Sequence, residues 1–202
     1  MQHRLYLASD SFGRKNLLKE ANISFETLSH SADESSCSLD QLLEQLVRQL
    51  AVLKMDHVSI PNGQEGDIVF VLTADTMTVD CNGTMLGKPL SIEHAYQMIR
   101  SFRNGSIVGT AFCLVKKRYE NKQWITVEQI VDYDEAQCVI DIPESFLQSY
   151  VNIIPVLTMS GGCSIMTYGE QFLKKINGNY SAVLGMPMFK LREALFTMNY
   201  YE

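Results

Sequence analysis

Residues 67–74 read D-I-V-F-V-L-T-A, and this stretch constrains the fold more than any other part of the chain. It is almost uninterrupted apolar, rich in β-branched residues, and too short for a buried helix of ordinary length. A strand of that kind is buried on both faces, which requires a sheet covered on each side by another layer. Residues 4–8 repeat the pattern in shorter form, and residues 23–28 alternate like a further strand. Leu39, Leu42, Leu43, Leu46, Val47, Leu50 and Leu53 recur at three- and four-residue steps, predicting an amphipathic helix over 39–54. Asn82-Gly83 marks a hairpin turn between 77–80 and 84–86. Ser91 caps a helix running to about residue 102. Strands are expected over 107–115 and 124–140, separated by a polar turn at 120–122. Pro143 opens a short helix to residue 151, and Pro187 opens a final one carrying Leu191, Ala194, Leu195 and Met198. Strands alternating with helices early, and antiparallel strands later, indicate an α/β fold with a mixed sheet.

Charge and cysteine usage exclude several function classes. A formal net charge of -6 argues against polymeric nucleic acid or an anionic membrane as the main partner. No stretch reaches the ~18 apolar residues of a membrane span, and no secretory signal is visible. The five cysteines lack any C-x-x-C pairing, and the four histidines lack H-E-x-x-H spacing. Free thiols in a reducing cytoplasm fit this pattern, and a disulfide framework or a zinc site does not.

Five places could carry chemistry. Ser9 and Ser11 precede a helix start that also carries Arg14; they either cap the helix or help its free N–H groups meet an anion. Asp75 and Thr76 stand where the buried strand is expected to end, as a turn or as a site for a divalent cation or a water. Lys88, between Gly87 and Pro89, is presented with little backbone freedom. Asp33-Glu34 lies in a polar loop, where such a pair is ordinarily solvated. Lys54 falls on the apolar side of its helix, either snorkelling along the core edge or projecting into a cleft.

The order of these pieces carries a resemblance. L-A-S-x-S at 7–11, Arg14 before Leu17-Leu18, Asp33-Glu34, A-x-x-K at 51–54, A-D-T at 74–76, G-K-P at 87–89 and Y-S-A-V-L-G-M-P at 180–187 follow one another along the chain. This succession resembles the Maf-like family of nucleoside triphosphate pyrophosphatases. The resemblance implies one domain over residues 1–202, of elongated Maf/ITPase-like form. Its mixed β-sheet would be flanked by helices, with two lobes and a cleft between them. It implies hydrolysis of a nucleoside triphosphate between its α- and β-phosphates, a house-cleaning role, a homodimer, and a divalent cation, Mg²⁺ first and Mn²⁺ as the alternative. Carried over by position, Ser9, Ser11, Arg14 and Thr76 would bind substrate, and Lys54 and Lys88 would neutralise phosphate charge. Asp75 would activate the attacking water, and Glu34 with Asp75 would hold the metal. The resemblance aims Lys54 into the cleft.

The chain departs from the family pattern at three places. Phe12-Gly13 stands where the family has proline and arginine, and T-M-S-G-G-C-S-I-M at 158–166 stands where it has D-K-A-G-x-Y-x-I-Q. The segment 104–110 lacks the family's histidine. These departures imply an altered base preference or reduced turnover. The alternative they raise is a catalytically impaired nucleotide-binding regulator linked to cell division.

Overall fold

A computed structural model describes residues 3–202. In chain order the elements are β1 (Arg4–Leu7), α1 (Phe12–Glu20), β2 (Glu26–Thr27), α2 (Leu43–Asp56), β3 (Ile68–Asp80), β4 (Met85–Leu86) and α3 (Ile92–Ser101). They continue with β5 (Ser106–Glu120), β6 (Gln123–Ile140), α4 (Glu144–Ile153), β7 (Leu173–Gly178), α5 (Tyr180–Val183) and α6 (Met188–Thr197). The strands form one seven-stranded mixed sheet in the order β2-β1-β3-β5-β6-β7, with β4 paired to β3 off that path. β2 and β3 lie parallel to β1, and every other pairing is antiparallel. The expected α/β class with a mixed sheet is what the chain adopts.

β3 explains why the sheet is covered on both faces. Side chains alternate along a strand. Phe70, Leu72 and Ala74 therefore pack with Leu18 of α1 and with Leu191, Ala194 and Leu195 of α6. Val69, Val71 and Met77 pack on the opposite face with Leu46, Val47, Leu50 and Ala51 of α2. A third cluster joins Ala95 and Ile99 of α3, Leu147 and Tyr150 of α4, and Val108, Cys138 and Ile140 of β5 and β6. Each large apolar side chain sealed this way contributes roughly 1.5–3 kcal/mol.

Three expectations need correction. The strand begun at residue 68 does not end at Ala74; it runs to Asp80 because β5 pairs with it along its whole length. Helix α2 starts at Leu43, leaving Leu39 and Leu42 56 % and 69 % exposed. The strand expected over 23–28 narrows to β2, which pairs with β1 only at Glu26 and Thr27. The turn at Asn121-Lys122 takes φ of 52° and 63°, the left-handed pair that a two-residue hairpin between β5 and β6 requires.

The long β3 creates the feature that positions the site. β1 accompanies one edge of β3 only as far as Leu72, and β4 takes up that edge again at Thr78. Residues 73–77 of β3 therefore have no strand neighbour on that side, and Asp75 and Thr76 lie in the middle of the gap. Among the described residues no helix is long and apolar enough to cross a membrane.

Candidate active site

Asp75 and Thr76 are neighbours in the chain, so their side chains leave opposite faces of β3. On the α2 face, Thr73 donates its hydroxyl proton to Ala51 O at 2.7 Å, fixing the helix against the strand two residues before Asp75. That contact brings Lys54, one turn further along α2, onto Asp75: Nζ donates to Oδ1 at 2.5 Å. The same ammonium lies 3.2 Å from Glu34 Oε1, at the start of the short 3₁₀ turn after Asp33. Lys54 is thus buried and aimed inward, and the snorkelling alternative is overturned. Asp75 is 5 % exposed, and its second oxygen, Oδ2, is sealed from solvent without a hydrogen-bond partner. Burial pushes its carboxyl above the ordinary value, against the pull of Lys54 and Arg14.

On the α1 face, Arg14 gathers three segments that are remote in sequence. Its Nε donates to Gly185 O at 2.9 Å, Nη1 to Ser9 Oγ at 3.0 Å and Nη2 to Thr76 Oγ1 at 3.0 Å. Gly185 has φ of 103°, a backbone conformation that side-chain-bearing residues rarely adopt, so glycine permits the turn that brings its carbonyl to Arg14. Thr110 Oγ1 donates to Ala182 O at 2.7 Å, so the 2.8 Å contact between Thr76 and Thr110 must have Thr76 as donor. The resulting relay runs from Arg14 through Thr76 and Thr110 to Ala182. It commits the Thr76 proton to the protein and makes Thr76 the prop of Arg14.

All three acceptors of Arg14 are neutral, and no carboxylate lies within ion-pair distance among the described residues. Burial pulls its pKa down, with Asp75 and Glu34 opposing at longer range. A guanidinium nonetheless stays charged in a protein. Ser11 caps α1, its side chain accepting from Arg14 N at 3.4 Å, which leaves the earlier N–H groups of that turn without intrahelical partners. Ser9 Oγ accepts from both Ser11 N and Arg14, so its own proton is free to donate. A buried uncompensated cation, a hydroxyl with its proton uncommitted and the positive end of a helix therefore share one place.

Lys88 follows β4, where the chain leaves the edge of β3, and Gly87 O accepts from Gly161 N at 2.8 Å. Its side chain is exposed and makes no hydrogen bond or ion pair among the described residues, so the structure does not bring it onto Asp75. Gly13, where the family pattern has arginine, is closed off: a Cβ would lie 2.5 Å from Leu184 O and 3.6 Å from Met166 Sδ. The turn between α5 and α6 occupies the space a side chain would need. Thr110, Gly185 and His30 were not singled out by sequence reasoning; Gly185 carried a signal as the glycine of the 180–187 motif, and Thr110 as the last residue of the divergent 104–110 segment. His30 forms an isolated antiparallel bridge with Val58, beyond the end of β2.

No group of three or more His, Cys, Asp or Glu able to hold a metal occurs among the described residues. The pair Glu34 and Asp75 still fits a cation that completes its shell with water and phosphate oxygens, as Mg²⁺ does. Asp75 Oδ2 is unpartnered, and the second oxygen of Glu34 has no hydrogen-bond or ion-pair partner among the described residues.

The fold and this arrangement agree with a family assignment made over nearly the whole chain. The family model described as "Maf-like protein" matches residues 4–198, and the chain belongs to that family. Among its relatives, a protein of Hydrogenovibrio crunogenus named dTTP/UTP pyrophosphatase is 30 % identical over 206 residues, covering 100 % of both chains. A protein of the same name from Caldicellulosiruptor bescii is 29 % identical, covering 98 % of this chain and 96 % of its own. Another, from Escherichia coli O157:H7, is 30 % identical, covering 96 % and 93 %.

Proposed function

We propose that this chain is a nucleoside triphosphate pyrophosphatase, a hydrolase that cleaves between the α- and β-phosphates and releases a monophosphate and pyrophosphate. The observation that carries this reading is Arg14: a buried cation with only neutral acceptors, beside Ser9 and the start of α1, is a site incomplete without an anion. The names of the relatives support a pyrimidine triphosphate, dTTP or UTP, as the first substrates to test. Removal of unwanted nucleotides, as house-cleaning, is the role that this chemistry serves.

In this reading Ser9 donates its free proton to a phosphate oxygen, and Arg14 uses the N–H donors left over from its three protein contacts. Ser11 holds the helix start in place. Asp75, whose raised carboxyl is suited to accepting a proton, takes one from the attacking water as its oxygen bonds to the α-phosphorus. The bond from that phosphorus to the bridging oxygen breaks, and pyrophosphate departs with the electron pair. Lys54 stabilises the charge that develops, and Lys88 swings in from the rim of the gap to do the same. Glu34 and Asp75 would hold the divalent cation, Mg²⁺ or Mn²⁺, which when bound supplies charge neutralisation and orients the phosphates.

Product analysis tests this directly. Incubation of the protein with UTP or dTTP and Mg²⁺ is expected to give monophosphate and pyrophosphate in equal amounts. Appearance of diphosphate and orthophosphate would overturn it. The closed space at Gly13, where the family pattern has arginine, favours a second reading, a catalytically impaired nucleotide-binding regulator, whose link to cell division comes from the resemblance alone. Tight nucleotide binding by calorimetry without any product would establish that reading instead. A homodimer, implied by the resemblance, is tested by sedimentation equilibrium.

A further inference from the structure

Two buried side-chain atoms without a hydrogen-bond partner stand out among the described residues: Asp75 Oδ2 and His30 Nδ1. Both belong to the surroundings of Lys54, which bonds to Asp75 and is one of the charges that bear on His30. Leu28 N donates to Leu7 O at 3.0 Å, so the chain leaving β2 runs beside the chain leaving β1 toward Ser9 and Asp10, and His30 lies near the charged groups Glu34, Arg14 and Asp10. Its backbone is held there by the bridge to Val58 and by Ser31 N donating to His57 O at 3.2 Å. Burial lowers its pKa, with Lys54 adding to the effect, so the resting ring is neutral at pH 7 and carries one proton.

The ring's surroundings decide which nitrogen carries that proton. Nδ1 is sealed and has no acceptor, and a buried N–H without an acceptor is a rare and costly arrangement. The other nitrogen, Nε2, has no protein partner and is not sealed. The proton therefore resides on Nε2, the nitrogen that a ligand can reach. We propose that His30 is a substrate-contacting residue of this site, its Nε2–H donating to a phosphate oxygen of the bound nucleotide. This rests on the nucleotide-binding reading above and extends it with a neutral donor alongside the cations Arg14 and Lys54. A neutral donor adds a hydrogen bond without further repulsion among those cations, and it gives the phosphate chain a contact from the β2 side.

Two variants of the full chain separate this role from a structural one. His30→Phe keeps the ring's bulk and removes the donor; His30→Gln restores an N–H close to the position of Nε2. Binding of inorganic pyrophosphate and of α,β-methylene-UTP, each with Mg²⁺, is measured by calorimetry, and turnover of UTP is followed in parallel. The wild type should bind, His30→Phe should weaken binding about 10- to 100-fold, as expected for a hydrogen bond to a charged group, and His30→Gln should recover most of the loss. The melting temperatures of all three proteins should agree. Equal binding by wild type and His30→Phe overturns the proposal, as does a loss in His30→Phe that His30→Gln does not rescue. Binding without turnover would leave this proposal standing while removing the hydrolase reading. Failure of the wild type to bind either ligand would overturn both.

Discussion

Gly13 offers the sharpest test of how the site is built, because two physical effects at this position oppose each other. Replacing glycine by alanine inside a helix normally stabilises by about 0.8–1 kcal/mol, since the unfolded chain loses freedom. Here the new Cβ would lie 2.5 Å from Leu184 O, a backbone atom that cannot swing aside. The turn carrying it is held by Gly185 N donating to Ala182 O and Met186 N donating to Ser181 O, both at 3.0 Å, and by Arg14 on Gly185 O at 2.9 Å. Forcing it outward is an overpacking event costing about 1–3 kcal/mol, to which the displaced Arg14 contact adds. The clash should win, leaving Gly13→Ala less stable by about 1–2 kcal/mol. For a chain of this length that lowers Tm by roughly 2–8 °C. Thermal unfolding followed by circular dichroism measures the shift, and KM for the nucleotide should rise in the same variant because Gly185 positions Arg14. A variant as stable as the wild type, or more so, would refute the close packing of the two turns. The same geometry predicts that Gly13→Arg, which restores the family pattern on paper, loses activity rather than gaining it.

Thr110→Val removes the link between Thr76 and Ala182 O, leaving a buried carbonyl and hydroxyl short of partners. It should cost about 1–3 kcal/mol, measured by urea denaturation, and raise KM more than it lowers kcat. Burial raises the thiol pKa of Cys113 to about 12 and those of Cys138 and Cys163 to about 11, and Cys37 is buried, while Cys81 is exposed. A disulfide reagent at pH 8 should therefore find one fast thiol, abolished in Cys81→Ser; a second fast phase in the native protein would contradict this. Asp75 sets a pH dependence in the metal-free protein. Its folded pKa is raised, so its contribution to stability is complete below the ordinary carboxylate range and is lost as pH rises through the folded value. Mg²⁺ binds the ionised form, so the Tm gained on adding it should be larger at pH 8 than at pH 5; an equal gain at both would count against Asp75 as a ligand.

Much of the fold was legible because it follows from local pattern. The apolar run at 68–74 announced a strand covered on both faces, and the leucine spacing announced α2. Both patterns broke at their functional or exposed ends. Asp75 interrupts the apolar run because it lines the gap, yet β5 supplies a hydrogen-bonding partner that carries the strand on to Asp80. Leu39 and Leu42 keep the helical spacing but lie outside the core, so periodicity alone placed the helix start four residues early. The site was legible as residue types in order, and less so as contacts. Lys54 could be placed on the apolar side of its helix, but its partners Glu34 and Asp75 come from two other segments. Arg14 meets Gly185 across 171 residues, and although the 180–187 motif contains that glycine, nothing local pairs it with the arginine. Lys88 differs: its motif is preserved in sequence, and its exposed side chain has no protein partner among the described residues, unlike Lys54 on Asp75 and Glu34.

The central claim is that Asp75 takes the proton from water during cleavage at the α-phosphorus. Single-turnover release of pyrophosphate from UTP and dTTP with Mg²⁺, compared between the wild type and Asp75→Asn, tests it most directly. Loss of a general base costs about 10²–10⁴ in rate, and a loss of that size is expected here, with nucleotide still bound by the variant. Equal rates in the two proteins, or no release by the wild type above that of Asp75→Asn, would contradict the account.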